Sequence, residues 1–371
     1  MSNIETAIVL GGGFATRLRP LTLTKPKPLL PILDLPLMDW ILRNLAEAGV
    51  KEIILSLRYL ADMIKARYEE GEALGVKIHY AEEIKPLGDG GPIPLIQKEY
   101  DIDGPFLTVY GDIFSNINFK EIITFHKKKG GLLTLALTKV ENPSRYGVAV
   151  LNSDSQILKF IEKPGRDQFI SNLINAGVYV FEPEAVRKYF PNKTPISLSR
   201  EVVPKLVKEG VAYGYVHRGI WHDIGVPRDY LIANIDALNN FTSGTEIKAS
   251  AKISERTEII PPVYIGKNVV IEEGSVIGPE VIIGRGSVIG PNTRILSSVI
   301  MSNVVTEGAS FISGSIIGDK TYLGRWVWVS DGNVLGDDVV VKDGVYLARG
   351  VKILPYKEIT SSIYEEGKVV L

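Results

Sequence analysis

A glycine-rich turn near the amino terminus carries the residue types that bind phosphate. Gly11, Gly12 and Gly13 follow a short apolar run, and three consecutive glycines let backbone N–H groups approach and surround an anion. Arg17 and Arg19 follow in the same loop and add fixed positive charge. The Gly-Lys-Ser/Thr ending of a P-loop is missing. The turn therefore predicts a phosphate-binding loop of another type.

A second basic element follows in a proline-rich segment. Lys27 stands between Pro26 and Pro28. The proline rings fix φ on either side and would present the lysine ammonium group from a stiff backbone. This arrangement suits a fixed contact to a phosphate.

The elements that must position these residues show the pattern of βαβ units. Up to about residue 238, short β-branched runs alternate with amphipathic segments, which predicts a mostly parallel sheet. The predicted strands are Ala7–Leu10, Ile53–Leu57, Val76–Tyr80, Phe106–Tyr110, Leu132–Leu137, Gly147–Leu151 and Val178–Phe181. The predicted helices are Leu37–Ala48, Tyr59–Glu70, Phe119–Lys129, Leu198–Glu209 and Pro227–Leu238.

After residue 240 the apolar residues recur every six positions. Isoleucine occupies every sixth position from 253 to 295. The register then shifts by four, and the spacing resumes through Val299, Val305 and Phe311 to Ile353. This repeat predicts a parallel β-helix whose short strands turn a corner every six residues and stack large side chains inside. Three hexads per coil would give about five coils.

The repeat resembles the left-handed β-helix of hexapeptide-repeat proteins, many of which are acyltransferases with a histidine base. All four histidines precede residue 223, so the repeat has no imidazole for that chemistry. We therefore predict a structural or assembly-forming role and a homo-oligomer formed through the β-helix. Trp326 and Trp328 fall at outward positions and are candidates for a contact with another domain or subunit. The alternative is that the C-terminal tail partly covers them.

Composition and charge exclude several classes of protein. The 371 residues exceed the usual domain size of roughly 100–200 residues, which predicts two domains. The net charge of −1 argues against a nucleic-acid partner. The absence of cysteine excludes disulfides, thiolate zinc sites and a cysteine nucleophile. Neither a signal peptide nor a membrane-length apolar run is present, so we expect a soluble cytoplasmic protein with no membrane partner.

The motifs taken together resemble the sugar-1-phosphate nucleotidyltransferases, or nucleoside-diphosphate-sugar pyrophosphorylases. Residues 10–32 match the family signature Leu-Ala-Gly-Gly-x-Gly-Thr-Arg-Leu-x-Pro-Leu-Thr followed by Pro-Lys-Pro-Leu. Gly11 replaces the usual Ala, and Ala15 replaces the usual Gly, which would reshape the loop near the triphosphate. The resemblance implies an α/β fold: a Rossmann-like, mixed and mostly parallel nucleotidyltransferase domain over residues 1–240, then a left-handed parallel β-helix of hexapeptide repeats over residues 241–371.

The resemblance also implies which residues bind the nucleotide. They are Leu10, Gly11, Gly12, Gly13, Thr16, Arg17, Lys27, Glu83, Gly88 and Asp89. The last two lie in a stretch that resembles the family's Pro-Leu-Gly-Thr-Ala-Gly, with Asp89 in place of Thr and Gly90 in place of Ala. Glu83, if it faces the base, could accept hydrogen bonds from both N1–H and N2–H of guanine, which uracil and thymine cannot offer together. This favours GTP.

Metal and sugar contacts follow from the resemblance in the same way. It implies that Asp112, after the run Phe106–Tyr110, and Asp223 bind Mg²⁺. Two carboxylates beside phosphate oxygens suit this hard cation. The implied sugar-phosphate-binding residues are Tyr146, Gly147, Glu162, Lys163, Asn175 and Gly177.

The implied reaction is an in-line attack by a sugar-1-phosphate oxygen on the α-phosphorus of an NTP, which releases pyrophosphate. The predicted catalytic residues are Arg17, Lys27, Asp112 and Lys163. Residues 142–148 and 220–225 and the trailing repeat domain look most like mannose-1-phosphate guanylyltransferases. We therefore predict GDP-mannose formation from GTP and mannose-1-phosphate. The alternatives are a glucose-1-phosphate uridylyl- or thymidylyltransferase, a non-catalytic regulatory paralogue, and a bifunctional enzyme with an acyltransferase repeat domain.

Overall fold

The computed structural model describes residues 4–165 and 171–371, and their contacts divide the chain into two compact units. The first unit contains the chain up to Gly13 together with Met38–Trp221. The second contains Phe14–Leu37 together with His222–Leu371. The signature segment near the amino terminus therefore packs with the C-terminal part of the chain.

A mixed sheet forms the centre of the first unit. Its strands are β1 (Thr6–Leu10), β2 (Glu52–Leu57), β3 (Lys77–Glu82), β4 (Phe106–Tyr110), β5 (Leu133–Lys139), β6 (Gly147–Leu151), β7 (Ile157–Glu162), β8 (Leu173–Phe181) and β9 (Ala212–Val216). Their order is β7-β6-β8-β4-β1-β2-β3, and β5 pairs with β8 and β9. The strands β4, β1, β2 and β3 are parallel, and β8 runs antiparallel to β4, β5 and β6. The predicted Rossmann-like, mostly parallel sheet is thus confirmed.

The order of the strands marks one edge of the sheet as a ligand site. The chain moves outward from β1 to β2 and β3, and then returns to place β4 on the other side of β1. The carboxyl ends of β1 and β4 therefore lie at a topological switch point, where open α/β sheets bind ligands.

Seven α-helices lie in the described residues. They are α1 (Leu37–Glu47), α2 (Ala61–Tyr68), α3 (Pro92–Glu99), α4 (Phe119–Lys129), α5 (Pro183–Tyr189), α6 (Val203–Lys208) and α7 (Pro227–Phe241). Shorter 3-10 turns cover Thr16–Leu18, Lys27–Leu29, Glu72–Leu74 and Pro143–Arg145, and a π-turn covers Leu198–Val202. Short strands cover Pro31–Ile32, Leu35–Pro36, Ile113–Ser115 and Trp221–Asp223. None of the described helices has the length and apolar character that crossing a membrane requires.

Local sequence explains where the helices begin and end. Asn118 caps α4 because its side-chain oxygen accepts hydrogen bonds from the backbone N–H groups of Lys120 and Glu121, and Gly130 ends the helix in the left-handed conformation. The single helix predicted over residues 198–209 is wrong in detail, since a π-turn precedes α6. Pro204 lies at the junction between the π-turn and α6.

The second unit contains the left-handed parallel β-helix. Within residues 241–371, all of which the structure describes, three sheets of eight, seven and six strands form its faces, more than the about five coils predicted. The strands are β10 (Thr245–Ile247), β11 (Lys252–Ile253), β12 (Glu258–Ile259), β13 (Val263–Ile265), β14 (Val270–Ile271), β15 (Val276–Ile277), β16 (Val281–Ile283), β17 (Val288–Ile289), β18 (Arg294–Leu296), β19 (Ser298–Ile300), β20 (Val305–Thr306), β21 (Phe311–Ser313), β22 (Ile316–Ile317), β23 (Tyr322–Leu323), β24 (Trp328–Val329), β25 (Val334–Leu335), β26 (Val340–Val341), β27 (Tyr346–Leu347), β28 (Lys352–Ile353), β29 (Glu358–Ile359) and β30 (Val369–Val370).

The predicted register of the repeat is wrong for one coil. The residues that pair with the interior isoleucines of the preceding coil are Ile300, Thr306 and Ile312, not Val299, Val305 and Phe311. The spacing therefore shortens to five twice, from Ile295 to Ile300 and from Ile312 to Ile317, instead of once to four. Phe311 consequently lies on the outside of the coil, half-buried.

Candidate active site

The glycine turn and Glu83 meet at the carboxyl edge of the sheet. The backbone N–H of Gly11 donates to the carbonyl of Ser56 over 2.8 Å, which joins the ends of β1 and β2. Ser56 Oγ donates to Glu83 Oε1 over 2.9 Å. A methyl group on Gly12 would come within 2.6 Å of that same oxygen, so a side chain at residue 12 would displace the carboxylate. A methyl group on Gly13 would meet nothing within 4 Å, and the turn is open to an incoming ligand there.

Asp112 lies at the same edge, directly after β4. The N–H of Gly111 donates to the carbonyl of Leu10 over 2.8 Å and ties the ends of β4 and β1 together. Asp112 follows and is half-buried. The structure thus brings Leu10, the glycine turn, Glu83 and Asp112 to the switch point of the sheet, as their positions after predicted strands indicate.

Asp89 is held inside the protein by hydrogen bonds. Its Oδ2 accepts from the Tyr110 hydroxyl over 2.6 Å, and its Oδ1 accepts from the N–H of Leu198 over 3.0 Å. Tyr179 donates to the Tyr110 hydroxyl over 3.1 Å. Burial raises the pKa of Tyr110 well above 10, and the Asp89 charge adds to the effect. Tyr110 is therefore a neutral donor that fixes the Asp89 loop to β4.

The neighbouring glycine of this loop packs tightly against the chain at residue 196. Gly88 has a φ of +76°, and a methyl group there would come within 2.2 Å of the Ile196 carbonyl. The N–H of Ile196 donates to the Leu87 carbonyl over 2.9 Å, and the N–H of Gly90 donates to the Ile196 carbonyl over 3.0 Å. The loop that the sequence assigns to the nucleotide is therefore held by backbone contacts from two sides.

The two sugar-binding motifs face each other across β6 and β7. Gly147 pairs with Glu162 in the antiparallel register, and the N–H of Lys163 donates to the Tyr146 carbonyl over 3.0 Å. Lys163 Nζ lies 3.9 Å from Glu162 Oε1. Burial raises the pKa of Glu162 above 4.5. Lys163 has a φ of +49°, a left-handed conformation that sequence alone does not reveal and that is typical of functional sites.

Asn175 and Gly177 lie at an irregularity of β8. The register between β8 and β5 shifts between Asn175 and Tyr179, and Gly177 has a φ of +73°. Asn175 Oδ1 accepts from the N–H of Gly177 over 2.9 Å, and its Nδ2 donates to the Tyr179 hydroxyl over 2.6 Å. Bulges of this kind re-aim side chains beside active sites. Asn175 thus connects the sugar motifs to the hydroxyl pair that holds Asp89.

The second unit contains the rest of the predicted site. Ala15 adopts a left-handed conformation, with φ 47° and ψ 40°, and its carbonyl accepts from Thr22 Oγ1 over 2.8 Å. Thr16 and Arg17 follow in a 3-10 turn and are exposed. The loop therefore presents a cation to solvent from a backbone fixed by its own hydrogen bonds.

Lys27 and Asp223, which are far apart in sequence, lie together in this unit. Lys27 begins a 3-10 turn after Pro26 and is only 6% exposed. Its Nζ lies 3.9 Å from Asp223 Oδ1. A buried ammonium group and a half-buried carboxylate at this distance can together receive a metal-bound phosphate.

Two groups of polar residues near these loops were not predicted as site residues. Ser56 is fully buried, and a serine inside the apolar run Glu52–Leu57 is the sequence signal that could have found it. Lys25 forms ion pairs with Asp319 and Asp337, which the sequence does not signal because all three lie in different segments. Over residues 4–165 and 171–371, no three His, Cys, Asp or Glu side chains gather in a way that could hold a metal ion.

Comparison with known proteins identifies the family. The family model described as nucleotidyl transferase matches residues 6–240, and the one described as the GMPPB C-terminal domain matches residues 259–369. A Bacillus anthracis protein titled as a candidate glucose-1-phosphate thymidylyltransferase in complex with a sucrose has a similar fold, with a TM-score of 0.58 and 21% identity over 65% of this chain and 97% of its own. The chain belongs to the nucleotidyl transferase family.

Similar curated proteins extend over almost the whole chain. A Sulfolobus acidocaldarius protein, named as a candidate mannose-1-phosphate guanyltransferase, is 42% identical over 99% of this chain and 99% of its own. The catalytic subunit beta of a Dictyostelium discoideum mannose-1-phosphate guanylyltransferase is 39% identical over 97% of this chain and 98% of its own. The corresponding Danio rerio subunit is 36% identical over 97% and 98%. The predicted resemblance is confirmed.

Proposed function

We propose that the chain transfers a guanylyl group from GTP to mannose-1-phosphate, giving GDP-mannose and pyrophosphate. Relatives named for this reaction match over 97–99% of the chain. The structural observation that carries the proposal is the Glu83 carboxylate, held by Ser56 against Gly12 beside the glycine turn. From this position Glu83 can accept hydrogen bonds from N1–H and N2–H of guanine.

Catalysis requires an anion to approach a polyanion, so the protein must supply positive charge and position. We assign Arg17 to the departing pyrophosphate, Lys27 to the triphosphate and Lys163 to the attacking sugar phosphate. Glu162 accepts hydrogen bonds from sugar hydroxyls. Asn175 and the backbones of Gly147 and Gly177 form the wall of the sugar site. Thr16 and the backbone N–H groups of the glycine turn bind the phosphates.

The carboxylates of Asp112 and Asp223 fit Mg²⁺. Both are hard oxygen donors, both are half-buried, and Asp223 has the Lys27 ammonium group nearby. Mg²⁺ in such sites takes one or two carboxylates and completes its shell with water and substrate phosphates. When bound, it would neutralise phosphate charge. Lys27 and Asp223 of the second unit are assigned to the triphosphate, as is Asp112 of the first unit.

We also propose a homo-oligomer formed through an aromatic face of the β-helix. The outward residues of β21, β24 and β27 stack as a ladder of Phe311, Trp328 and Tyr346, with 4.3 Å between the first two ring centroids. Trp328 is 47% exposed and Trp326 is 64% exposed. Two exposed tryptophans beside the half-buried Phe311 and Tyr346 suit burial against a second copy. Light scattering that shows a monomer at micromolar concentration would contradict this.

The boundary between the catalytic domain and the repeat domain is proposed after residue 240. Helix α7 ends at Phe241, and the two family matches lie on either side of this point. The repeat domain is assigned no separate catalytic activity.

The proposal is tested with pure protein, Mg²⁺ and a matrix of nucleotides and sugar phosphates. GTP, ATP, UTP, CTP and dTTP are each combined with mannose-, glucose- and N-acetylglucosamine-1-phosphate, and pyrophosphate release is measured. We expect the fastest release with GTP and mannose-1-phosphate. Faster release with UTP or dTTP and glucose-1-phosphate would overturn the assigned substrates. A folded protein that is silent throughout would indicate the non-catalytic paralogue.

A further inference from the structure

Lys25 is a buried cation with two carboxylate partners, of which Asp337 is buried and Asp319 is half-buried. Its Nζ forms ion pairs with Asp319 and with Asp337, the latter over 3.1 Å. Thr24 Oγ1 donates to Asp337 Oδ2 over 2.6 Å. Thr24, Lys25, Asp319 and Asp337 are called the Lys25 cluster below. Only 8% of Lys25 and 6% of Asp337 is exposed.

Backbone hydrogen bonds within the β-helix hold the two carboxylates in place. Asp337 Oδ1 accepts from the N–H of Asp319 over 2.9 Å, and Asp319 Oδ1 accepts from the N–H of Ser302 over 2.8 Å. Each carboxylate thus uses one oxygen to bind the backbone of the preceding coil and offers the other oxygen to Lys25. The carboxylates of Asp319 and Asp337 both contact Lys25 Nζ, and this cation offsets the repulsion between them. Burial lowers the pKa of Lys25, but the two carboxylates outweigh this and raise it above 10.5.

The backbone between Lys25 and Lys27 is stiff. Pro26 separates them in an extended conformation, and the 3-10 turn that Lys27 begins is closed by the N–H of Leu29 donating to the Pro26 carbonyl over 2.9 Å. The proline ring fixes φ and leaves little freedom to absorb a displacement. A shift of Lys25 would therefore move Lys27.

The other end of the segment is fixed by α7. The Tyr230 hydroxyl donates to the Pro31 carbonyl over 2.5 Å, and Asn234 Oδ1 accepts from the N–H of Leu33 over 2.9 Å. Lys27 lies between this anchor and the Lys25 cluster. Its Nζ lies 3.9 Å from Asp223 Oδ1. On the amino-terminal side of Pro26, the ion pairs of the Lys25 cluster hold the segment.

We propose that Lys25 is a positioning residue, and that its ion pairs with Asp319 and Asp337 of the β-helix set the place of Lys27 for the nucleotidyl transfer. This inference rests on the proposed function, because it requires that Lys27 contacts the triphosphate. The β-helix then acts in catalysis as well as in the proposed assembly. Its contribution is a pair of carboxylates that no catalytic motif contains.

The test uses the full chain with the cluster neutralised as a whole. The triple variant Lys25→Met, Asp319→Asn, Asp337→Asn removes the charges together, so no buried charge is left unpaired. We expect kcat with GTP to fall on the order of 10–100-fold, as small misplacements of a catalytic group do. The KM for mannose-1-phosphate should stay unchanged, because its assigned contacts lie elsewhere. The melting temperature should shift by only a few degrees.

Further variants keep the inference falsifiable. Lys25→Arg retains the charge and should recover kcat to within a few-fold. Should the triple variant not fold, Asp337→Asn alone weakens the pairing and should lower kcat while leaving the KM for mannose-1-phosphate intact. The matched control is Lys248→Met with Glu246→Gln, which removes another ion pair of the same unit and should leave kcat unchanged.

The outcomes separate the inference from the proposed function. The inference about Lys25 would be overturned if the folded triple variant, or the Asp337→Asn variant, kept an unaltered kcat while Lys27→Ala was inactive. The proposed function would then still stand. A Lys27→Ala variant with normal kcat and normal KM for GTP would overturn the assigned role of Lys27, and the inference with it. Equal losses of kcat in the cluster variants and in the Lys248 control would show a general structural effect and would also overturn it.

Discussion

Gly147 lies directly opposite Glu162 across the antiparallel strands β6 and β7, and no side chain fits at Gly147. A methyl group there would come within 2.3 Å of the Phe160 ring and 2.9 Å of Glu162 Oε2. The absence of a side chain therefore sets the position of the carboxylate. A glycine predicted to offer its backbone to the sugar also makes room for the neighbouring acceptor.

Gly147→Ala should displace Glu162 and weaken sugar binding. The added methyl must push the phenyl ring or the carboxylate aside, at a cost of about 1–3 kcal/mol in the free energy of unfolding. We expect the KM for mannose-1-phosphate to rise about tenfold or more, with a smaller change in the KM for GTP. Steady-state kinetics and thermal unfolding measure both effects.

The control for this substitution is Gly165→Ala. A methyl group at Gly165, which follows the same pair of strands, would meet no residue of the described ranges 4–165 and 171–371 within 4 Å. Its kinetics should match those of the unaltered protein. An unchanged KM for mannose-1-phosphate in Gly147→Ala would show that Glu162 does not contact the sugar.

Protonation of Glu162 should weaken sugar binding at acid pH, over a range that lies above pH 4.5. Burial raises the pKa of Glu162 in the folded protein, with the Asp89 charge acting in the same direction. The contribution of Glu162 to the free energy of unfolding is therefore present below pH 4.5 and is lost as the pH rises through the raised pKa. Accepting hydrogen bonds from sugar hydroxyls requires the ionised form, so the KM for mannose-1-phosphate should rise as pH falls through the same range.

The variant Glu162→Gln separates the pH dependence that Glu162 causes from the titration of the substrate. The sugar phosphate itself protonates near pH 6, and the variant keeps that contribution. KM measured from pH 4 to pH 8 should depend less steeply on pH in Glu162→Gln, with a higher KM at neutral pH. Superimposable profiles for the two proteins would remove Glu162 from the sugar site.

Sequence periodicity was sufficient for most of the fold but not for its irregular elements. Strands such as Phe106–Tyr110 and Gly147–Leu151 have the predicted bounds, because continuous apolar runs are typical of buried strands. The strand β7 was not predicted, since Lys159 interrupts its apolar pattern at a register shift. Helices α3 and α5 were not predicted, although each begins with proline, which is common at the first position of a helix. Both are only seven or eight residues long, too short to show a clear helical period.

Part of the candidate site could be predicted because its motifs follow strands. Gly12, Glu83 and Asp112 come after β1, β3 and β4, and parallel strands bring such positions to one edge. The internal partners of Asp89 could not be predicted, because Tyr110 and Leu198 meet it only through tertiary packing. Backbone strain at Lys163 likewise has no signature in residue type.

Ala15 should tolerate glycine and not valine. It holds a left-handed conformation with φ 47°, which costs a residue with a side chain roughly 1–2 kcal/mol relative to glycine. The flexibility of glycine offsets part of this gain, so Ala15→Gly should raise the free energy of unfolding by about 1 kcal/mol or less. Ala15→Val should lower the free energy of unfolding and raise the KM for GTP, because a β-branched residue rarely adopts this conformation.

The matched control for Ala15→Val is Ala309→Val. Ala309 has a φ of 49° and is exposed in the β-helix. It should show a similar loss of stability, measured by thermal unfolding, with no change in the KM for GTP. A loss of GTP affinity in both variants, or in neither, would mean that the loop conformation at Ala15 does not act on the nucleotide.

Tyr110→Phe should loosen the loop that holds Asp89. The variant removes the hydroxyl that donates to Asp89 Oδ2 and leaves the carboxylate with the N–H of Leu198. Losing a partner of a half-buried carboxylate costs about 1–3 kcal/mol in the free energy of unfolding. We expect a higher KM for GTP as well, because the Gly88–Asp89 segment loses its tie to β4.

The control is Tyr215→Phe, which removes a tyrosine hydroxyl that donates to Glu121 at the surface over 2.6 Å. Exposed pairs of this kind contribute little, so its stability and kinetics should be close to those of the unaltered protein. Should Tyr110→Phe bind GTP normally while losing stability, the Asp89 network would be structural only.

Asp112→Ala should abolish most activity without unfolding the protein. Asp112 is half-buried after β4, where its backbone neighbour Gly111 is tied to Leu10. Removing one charge-assisted contact to a reacting phosphate costs on the order of 10²–10³ in rate. Circular dichroism should show a native fold, and calorimetric titration with Mg²⁺ and GTP should show weaker metal-dependent binding.

Asp103→Ala, at an exposed position of the same unit, should behave like the unaltered protein. A folded Asp112→Ala protein with near-normal turnover and an unchanged Mg²⁺ requirement would exclude Asp112 as a metal ligand, and the carboxylate requirement would then rest on Asp223 alone.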